Sequence, residues 1–283
     1  FKHCTALVLR YLLDRLRHAR GTRLVMGNAL VARFYASLKE VGVSVSFGTS
    51  LDELVLSKDC VTGALIKMDG QLVDVKARKG VILATGGFGH DKALRKQLMP
   101  AGHDKWPSLL FEGNLGCGVK AGVKAGAKLT SAKAGKGVFW QPVSITQRQD
   151  GSKGLFPHLF LDRAKPGLIA VDHAGKRFTN EGNSYHYFCD DMIKRHESTP
   201  AIPCWVIVDS NFISKYGLGF VYPGSSNLDV HVKSGYLKAA STLERLAQLI
   251  KVDATGLQES VTRNNDFSRT GVDADYGKGS TEV

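Results

Sequence analysis

KGVILATGGFGH, residues 79–90, reads as a short buried strand running straight into paired glycines. Val81, Ile82, Leu83 and Ala84 form an unbroken apolar run, and Thr85, Gly86 and Gly87 follow at once. A central parallel strand, apolar on both faces, has this form, and a ligand lies across the carboxyl end of such a strand. Glycine has no Cβ, so backbone there can come within van der Waals reach of a flat ligand. A strand ending in an ordinary glycine-rich turn has the same spelling, so the surroundings must decide.

On the amino-terminal side, residues 3–19 predict a basic helix with Leu7, Leu9, Leu12, Leu13 and Leu16 on its apolar face, broken at Gly21. Residues 28–41 predict a cleaner amphipathic helix, with Leu30, Val31, Phe34, Leu38 and Val41 at helical spacing and Gly42 just past its end. Strict alternation over 43–47 predicts a strand. Residues 61–68 and 71–77 predict a hairpin, because Asp69-Gly70 supplies the positive φ values of a type I′ turn. Helix, strand, hairpin and the strand into ATGG together predict a nucleotide-binding α/β domain with a small antiparallel insertion.

On the carboxyl side, Asp91 is placed to cap a helix over 92–98. GNLGCG, residues 113–118, opens a small-residue helix reaching Ala125. Such an entry presents free N–H groups and a positive dipole end to an anion or an electron-rich ring edge, and equally suits a helix packed closely on a sheet. From Phe139 the character changes. Residues 141–154 read as a polar junction, 167–171 and 204–208 as short strands, 172–175 as a turn and 177–185 as a polar run. Ser241-Thr242-Leu243-Glu244 reads as a capping box for a helix over 243–250, and Asp253 as the cap of another running to Arg269.

The composition is that of an ordinary globular protein, 43% hydrophobic and 23% charged over 283 residues, enough chain for two domains. The net charge of +12 is scattered, with mild clusters over 10–23 and 120–136, and lacks the basic stripe with interleaved aromatics of a nucleic-acid binder. Cys4, Cys60, Cys117, Cys189 and Cys204 include no C-x-x-C pair, which points to reduced thiols in a cytoplasmic protein and to no metal site. No run reaches the ~20 apolar residues of a membrane span. A start at Phe1 and a finish on Gly-Ser-Thr-Glu-Val predict an internal piece of a longer protein.

Taken together, Met26-Gly27-Asn28-Ala29-Leu30, KGVILATGGFGH, GNLGCG, PGLIAVDHAGKRFTNE and GYLKAASTLERLA resemble the FAD-dependent fumarate reductase and 3-ketosteroid Δ1-dehydrogenase superfamily, closer to the ketosteroid branch. The resemblance implies FAD as cofactor and an α/β fold with an α+β cap. Residues 1–145 would be part of a glutathione-reductase-like FAD-binding domain with an antiparallel β insertion, and 146–283 an inserted catalytic cap. It also implies that the G-x-G-x-x-G segment and the carboxyl-terminal return to the FAD domain lie outside this chain.

The same resemblance assigns candidate residues. Leu51, Ala84, Thr85, Gly86, Gly87, Asn114, Gly116 and Cys117 would meet the cofactor, with Cys117 standing where the family usually carries Asp. The fourth position after Glu181 is an Arg proton donor in the fumarate reductases and a Tyr base in the ketosteroid dehydrogenases; here it is Tyr185. Placing a double bond beside a carbonyl requires a base for the α proton while the β hydrogen leaves as hydride to flavin N5. A phenol, with an ordinary pKa near ~10, does this at neutral pH only where its site favours the phenolate. Arg177, Asn180 and Glu181 would form a polar knot shaping the loop or a proton path. His90, His158, His173 and His231 show no paired spacing and read as ordinary residues. The implied substrate is a small hydrophobic carbonyl compound, steroid-like. A fumarate reductase-like enzyme, or a non-catalytic relative that kept the fold, are the competing readings.

Overall fold

The computed structural model describes residues 1–100, 102, 104–129, 139–148 and 150–280. Part of the basic cluster over 120–136, one residue of the 141–154 segment and residues 281–283 lie outside the described residues. In chain order the elements are α1 (Lys2–Arg17), α2 (Met26–Glu40), β1 (Thr49–Ser57), β2 (Cys60–Met68), β3 (Gln71–Lys76), α3 (Lys92–Leu98), α4 (Cys117–Lys124), β4 (Val143–Gln147), β5 (Lys153–Pro157), α5 (Phe160–Arg163), β6 (Ile169–Val171), α6 (Tyr185–His196), β7 (Trp205–Ile207), α7 (Ser210–Tyr216), α8 (Asp229–Lys233), α9 (Leu243–Ile250) and α10 (Ala254–Thr270). The chain divides into two compact units, Phe1–Ala84 with Cys117–Ala127, and Thr85–Gly116 with Lys128–Val283.

The first unit is built on the antiparallel sheet β1-β2-β3. Its β2–β3 turn has φ of 52° at Asp69 and 84° at Gly70, the pair of positive values that the Asp-Gly dipeptide predicts. Gly42, at φ 73°, follows the end of α2 as expected. β1 spans residues that periodicity leaves as a loop; Leu51 lies inside it, opposite Ile66, beside a register shift between Leu51 and Glu53. Glu53 of β1 is ion-paired with Lys124 at the far end of α4. A Cβ added to Gly122 of α4 would lie 3.6 Å from Leu83, so the small-residue face of that helix packs close to its neighbour.

Two expected strands are absent from this unit. Residues 43–46 and 81–84 carry no strand, and Ile82 is 92% exposed. Alternation and apolar runs favour extended backbone, but a strand exists only where a neighbour satisfies its N–H and C=O groups. Here the sheet pairs only β1, β2 and β3. The apolar faces of α1 and α2 do form as helical stripes, and Leu12, Leu13, Leu16, Val31 and Phe34 on them are exposed.

The second unit has its core around β6. Strand alternation sends Ile169 and Val171 against Ala247 of α9 and Leu257 of α10, while Ala170 joins Phe178, Phe188 and Cys189. Leu168, just before the strand, packs with Phe212, Ile213, Leu218 and Val221. β6 pairs antiparallel with β7, Ile169 opposite Ile207. The segment expected to be a junction instead holds the β4–β5 hairpin, Ser144 opposite Phe156. Polar Ser144 and Thr146 are partly buried here while apolar Ile145 is exposed, so the strand lacks the apolar-in, polar-out alternation by which a strand is recognised.

Caps follow the sequence closely. Asp91 accepts from Leu94 N at 2.7 Å and Asp253 from Gly256 N at 2.6 Å. At α9 the cap is Thr242, accepting from Arg245 N at 3.2 Å, one residue later than the capping box places it. Truncating Leu257, fully buried between β6 and α9, is expected to cost about 2–5 kcal/mol, whereas Leu249→Ala on the exposed side of α9 should stay within about 0.5 kcal/mol. Urea unfolding of the complete protein checks the contrast, and equal effects would refute this packing.

Candidate active site

The glycine-rich turns come first. In the second unit, Gly116 N donates to Gly87 O at 3.1 Å and His90 N to Asn114 O at 3.0 Å, so the ATGG and GNLG segments are laced main chain to main chain. Gly86, at φ 76°, lies under the Asn114 side chain; a Cβ there would fall 2.2 Å from Asn114 Oδ1. Nothing lies within 4 Å of a Cβ built on Gly87, which leaves that backbone open. Arg95, buried on α3, holds the turn from below by donating to Gly89 O at 2.7 Å, Asp104 O at 3.0 Å and Trp106 O at 2.5 Å. An open backbone face on a rigid turn fits the flat, polar-edged ring system of a flavin. Of the other residues expected at the cofactor, Thr85 belongs to this unit, and Leu51, Ala84 and Cys117 belong to the other, where Cys117 begins α4 and is exposed.

The second cluster is the loop before α6. Glu181 is completely buried, and its carboxylate is fully used. Oε1 accepts from Ala170 N of β6 at 3.0 Å and from Arg177 Nε at 3.0 Å; Oε2 accepts from Arg177 Nη2 at 2.9 Å and lies 3.4 Å from Lys278 Nζ. Arg177 also donates to Asp273 at 2.9 Å and stacks 5.1 Å over the ring of Tyr276, whose hydroxyl donates to Arg177 O at 2.9 Å. Lys278 Nζ donates to Leu168 O at 2.6 Å. Asn180 donates to Tyr276 O at 3.2 Å and accepts from Gly182 N at 2.8 Å. Arg177, Asn180 and Glu181 are thus joined in one network with Asp273, Tyr276 and Lys278.

Electrostatics in the network follow from opposed burial and pairing. Burial pulls the Arg177 guanidinium down, but its bonds to Glu181 and Asp273 outweigh this and hold it above its ordinary value. Burial pushes Asp273 up, and Arg177 more than reverses it, so its carboxyl sits below the usual range. Burial lowers Lys278, with Glu181 opposing, and raises the Tyr276 phenol. Burial pushes the Cys189 and Cys204 thiols up to about 12, and both pack in the cluster around Ala170, Phe178 and Phe188.

Tyr185 opens α6, four residues beyond Glu181, and is 37% exposed. His186 turns away to accept from Trp140 N at 3.2 Å, in keeping with the different faces of adjacent helical residues. His158, which the sequence leaves unremarkable, is buried in a hydrogen-bonded chain: Nδ1 lies 2.5 Å from Asp162 Oδ2, Nε2 lies 2.7 Å from Ser144 Oγ, and that oxygen lies 2.7 Å from Tyr236 Oη. His158 and Asp162 stand four residues apart, a spacing that carries a signal; Ser144 and Tyr236 come from distant segments and carry none. The same holds for Asp273, Tyr276 and Lys278, which lie about a hundred residues beyond their partners. Among the described residues there is no cluster of His, Cys, Asp or Glu able to hold a metal, and no helix long and apolar enough to cross a membrane.

A family model described as FAD binding domain matches residues 5–282. The chain is 38% identical to 4-oxocyclohex-2-ene-1-carboxylate 5-dehydrogenase of Sinomonas cyclohexanicum, over all of this chain and 48% of that protein. It is 31% identical to 3-oxosteroid 1-dehydrogenase of Mycobacterium tuberculosis, over 92% of this chain and 47% of that one. The structure superposes on 3-ketosteroid Δ1-dehydrogenase from Sterolibacterium denitrificans in complex with 1,4-androstadiene-3,17-dione with TM-score 0.82 and 31% identity, over 97% of this chain and 49% of that one. The chain therefore spans about half the length of the relatives it matches.

Glu181→Gln, which leaves Arg177 and Lys278 facing a neutral amide, is expected to cost about 3–5 kcal/mol of stability in urea unfolding. Asp273 has its carboxyl depressed in the fold, so its contribution is fully present above the unfolded value of about 3.9 and is lost as pH falls through the lower folded value. Asp273→Asn should therefore flatten the acid limb of a stability–pH curve; an unchanged limb would mean that the carboxylate is not engaged.

Proposed function

The chain belongs to the FAD binding domain family, and on that footing we propose that the complete protein is an FAD-dependent dehydrogenase placing a carbon–carbon double bond beside the carbonyl of a cyclic ketone. The relatives' shared chemistry supports this, since their names describe dehydrogenation of a 3-oxosteroid and of an oxocyclohexene carboxylate. In this reading residues 1–145 are part of a glutathione-reductase-like FAD domain with β1–β3 as its antiparallel insertion, and 146–283 form the cap. The strand expected over 81–84 then takes its parallel neighbours from parts of the protein beyond this chain. The cytoplasm is the proposed compartment, and the substrate a hydrophobic ketone of steroid type.

Tyr185 is the proposed base. The observation that carries this assignment is a partly exposed phenol placed directly after a segment locked by Glu181, Asn180 and Arg177. A base must be held within hydrogen-bond reach of the proton it takes, and a fixed approach to the helix serves that need. Tyr185 Oη accepts the α proton as the new double bond forms. Bound FAD supplies the acceptor for the hydride that leaves the β carbon. Thr85, Gly86, Gly87, Asn114 and Gly116, with Leu51, Ala84 and Cys117, are the proposed cofactor contacts.

The test is the visible spectrum of the complete protein, recorded without oxygen. Adding a 3-ketosteroid, or in parallel 4-oxocyclohexanecarboxylate, is expected to bleach the flavin band, and the ketone that bleaches faster identifies the substrate type. Tyr185→Phe should keep the flavin spectrum and slow bleaching by about 10²–10⁴-fold. A flavin indifferent to both ketones but reoxidised by fumarate after chemical reduction would move the protein to the reductive branch. A protein purified without flavin would overturn both.

A further inference from the structure

We infer that Arg163 is a positioning residue for Tyr185, holding the backbone that delivers the phenol to its place. The inference rests on the base role proposed above. Arg163 ends α5 and is 1% exposed, and its guanidinium donates to three main-chain carbonyls. Nε donates to His158 O at 2.9 Å, Nη1 to Glu181 O at 2.7 Å and Nη2 to Asn183 O at 3.1 Å. The last two acceptors lie four and two residues before Tyr185. One planar fork can reach both only while 181–183 keeps its bend, and that bend is closed by Asn183 N donating to Asn180 O at 3.1 Å.

The same guanidinium packs under the helix that Tyr185 begins. Its carbon lies 4.5 Å from the ring centroid of Phe188, a buried residue one turn along α6. Glu181 is meanwhile held by its side chain, through Arg177, Lys278 and Ala170 N. Two different arginines thus grip the approach to Tyr185, one by its main chain and one by the Glu181 carboxylate.

Arg163 is itself braced. Its own N–H donates to Asp162 Oδ1 at 2.9 Å, and Asp162 is the foot of the chain through His158 and Ser144 to Tyr236. That chain ties α5 to β4. Burial pulls the Arg163 guanidinium below its ordinary value, with Asp162 opposing. A buried cation answered by carbonyls is a costly way to fill space, and an apolar residue would fill it more cheaply. What the guanidinium adds is geometry, and misplacing a reacting group by about 1 Å can slow a reaction by about 10²-fold.

The experiment is anaerobic single-turnover bleaching of the complete protein by a cyclic ketone, in a cycle of Arg163→Lys and Tyr185→Phe. Lysine keeps the charge but replaces the rigid planar fork with a single flexible ammonium, which does not fix the spacing of the carbonyls it meets. Arg163→Lys is expected to retain the flavin spectrum, hold KM within about twofold and slow bleaching by about tenfold or more. In the Tyr185→Phe background it should cause no further loss, because a positioning residue has nothing left to position. Full rate in Arg163→Lys, or the same fold-loss in both backgrounds, would overturn the inference. Should that variant lose its flavin, Phe188→Leu repeats the test: a fall of about threefold that vanishes with Tyr185→Phe supports the inference, and an unchanged rate overturns it. Full activity in Tyr185→Phe alone would instead remove the base assignment, and the two failures are read from different variants.

Discussion

The buried carboxylate of Glu181 is the constraint on which the rest of the second unit depends. It accepts a main-chain N–H from β6 and side-chain bonds from Arg177, with Lys278 close by. β6 and Leu168 just before it each contribute to the groups of core residues, so one side chain ties the polar loop to the apolar centre. The two cations and the two carboxylates, Glu181 and Asp273, balance in charge. Such a set is stable only when complete, because removing one member strands another charge away from water. The loop before α6 is therefore held by a complete set of buried hydrogen bonds and ion pairs.

Two further arginines act as clamps on irregular backbone. Arg95 gathers carbonyls of Gly89, Asp104 and Trp106 beneath the glycine-rich turn, and Arg163 gathers those of His158, Glu181 and Asn183 beneath α6. Loops cannot satisfy their own carbonyls as helices and sheets do, and a five-donor planar fork can answer several at once. Both clamps lie under segments that the resemblance to flavin dehydrogenases assigns to cofactor or catalysis. Precision at these sites thus comes from buried cations on short helices, without long regular elements.

Much of the local structure was legible. Asp91, Asp253 and Asp69-Gly70 each act within four residues of themselves, and each does in the structure what its chemistry predicts. The Thr242 cap was misplaced by one residue because Ser241 and Thr242 are both good caps and only backbone geometry chooses between them. The family, and FAD with it, came from the resemblance of five segments taken together, ATGGF and GKRFTNE among them.

Features that depend on near neighbours are written into the chain: helix caps, the type I′ hairpin, the apolar stripes, and the position of Tyr185 after its polar knot. Tertiary structure decided whatever needs a distant partner. Residues 81–84 have the composition of a strand but no neighbour in the sheet of their unit, so no strand forms. Residues 141–154 read as a polar junction, yet 143–147 within it pair with 153–157. Arg177 finds Asp273, and His158 finds Ser144 and Tyr236, across separations that no periodicity spans. The physical reason is common to all of these: a buried polar group must be satisfied, and its partner is set by the path of the chain through space rather than by spacing along it.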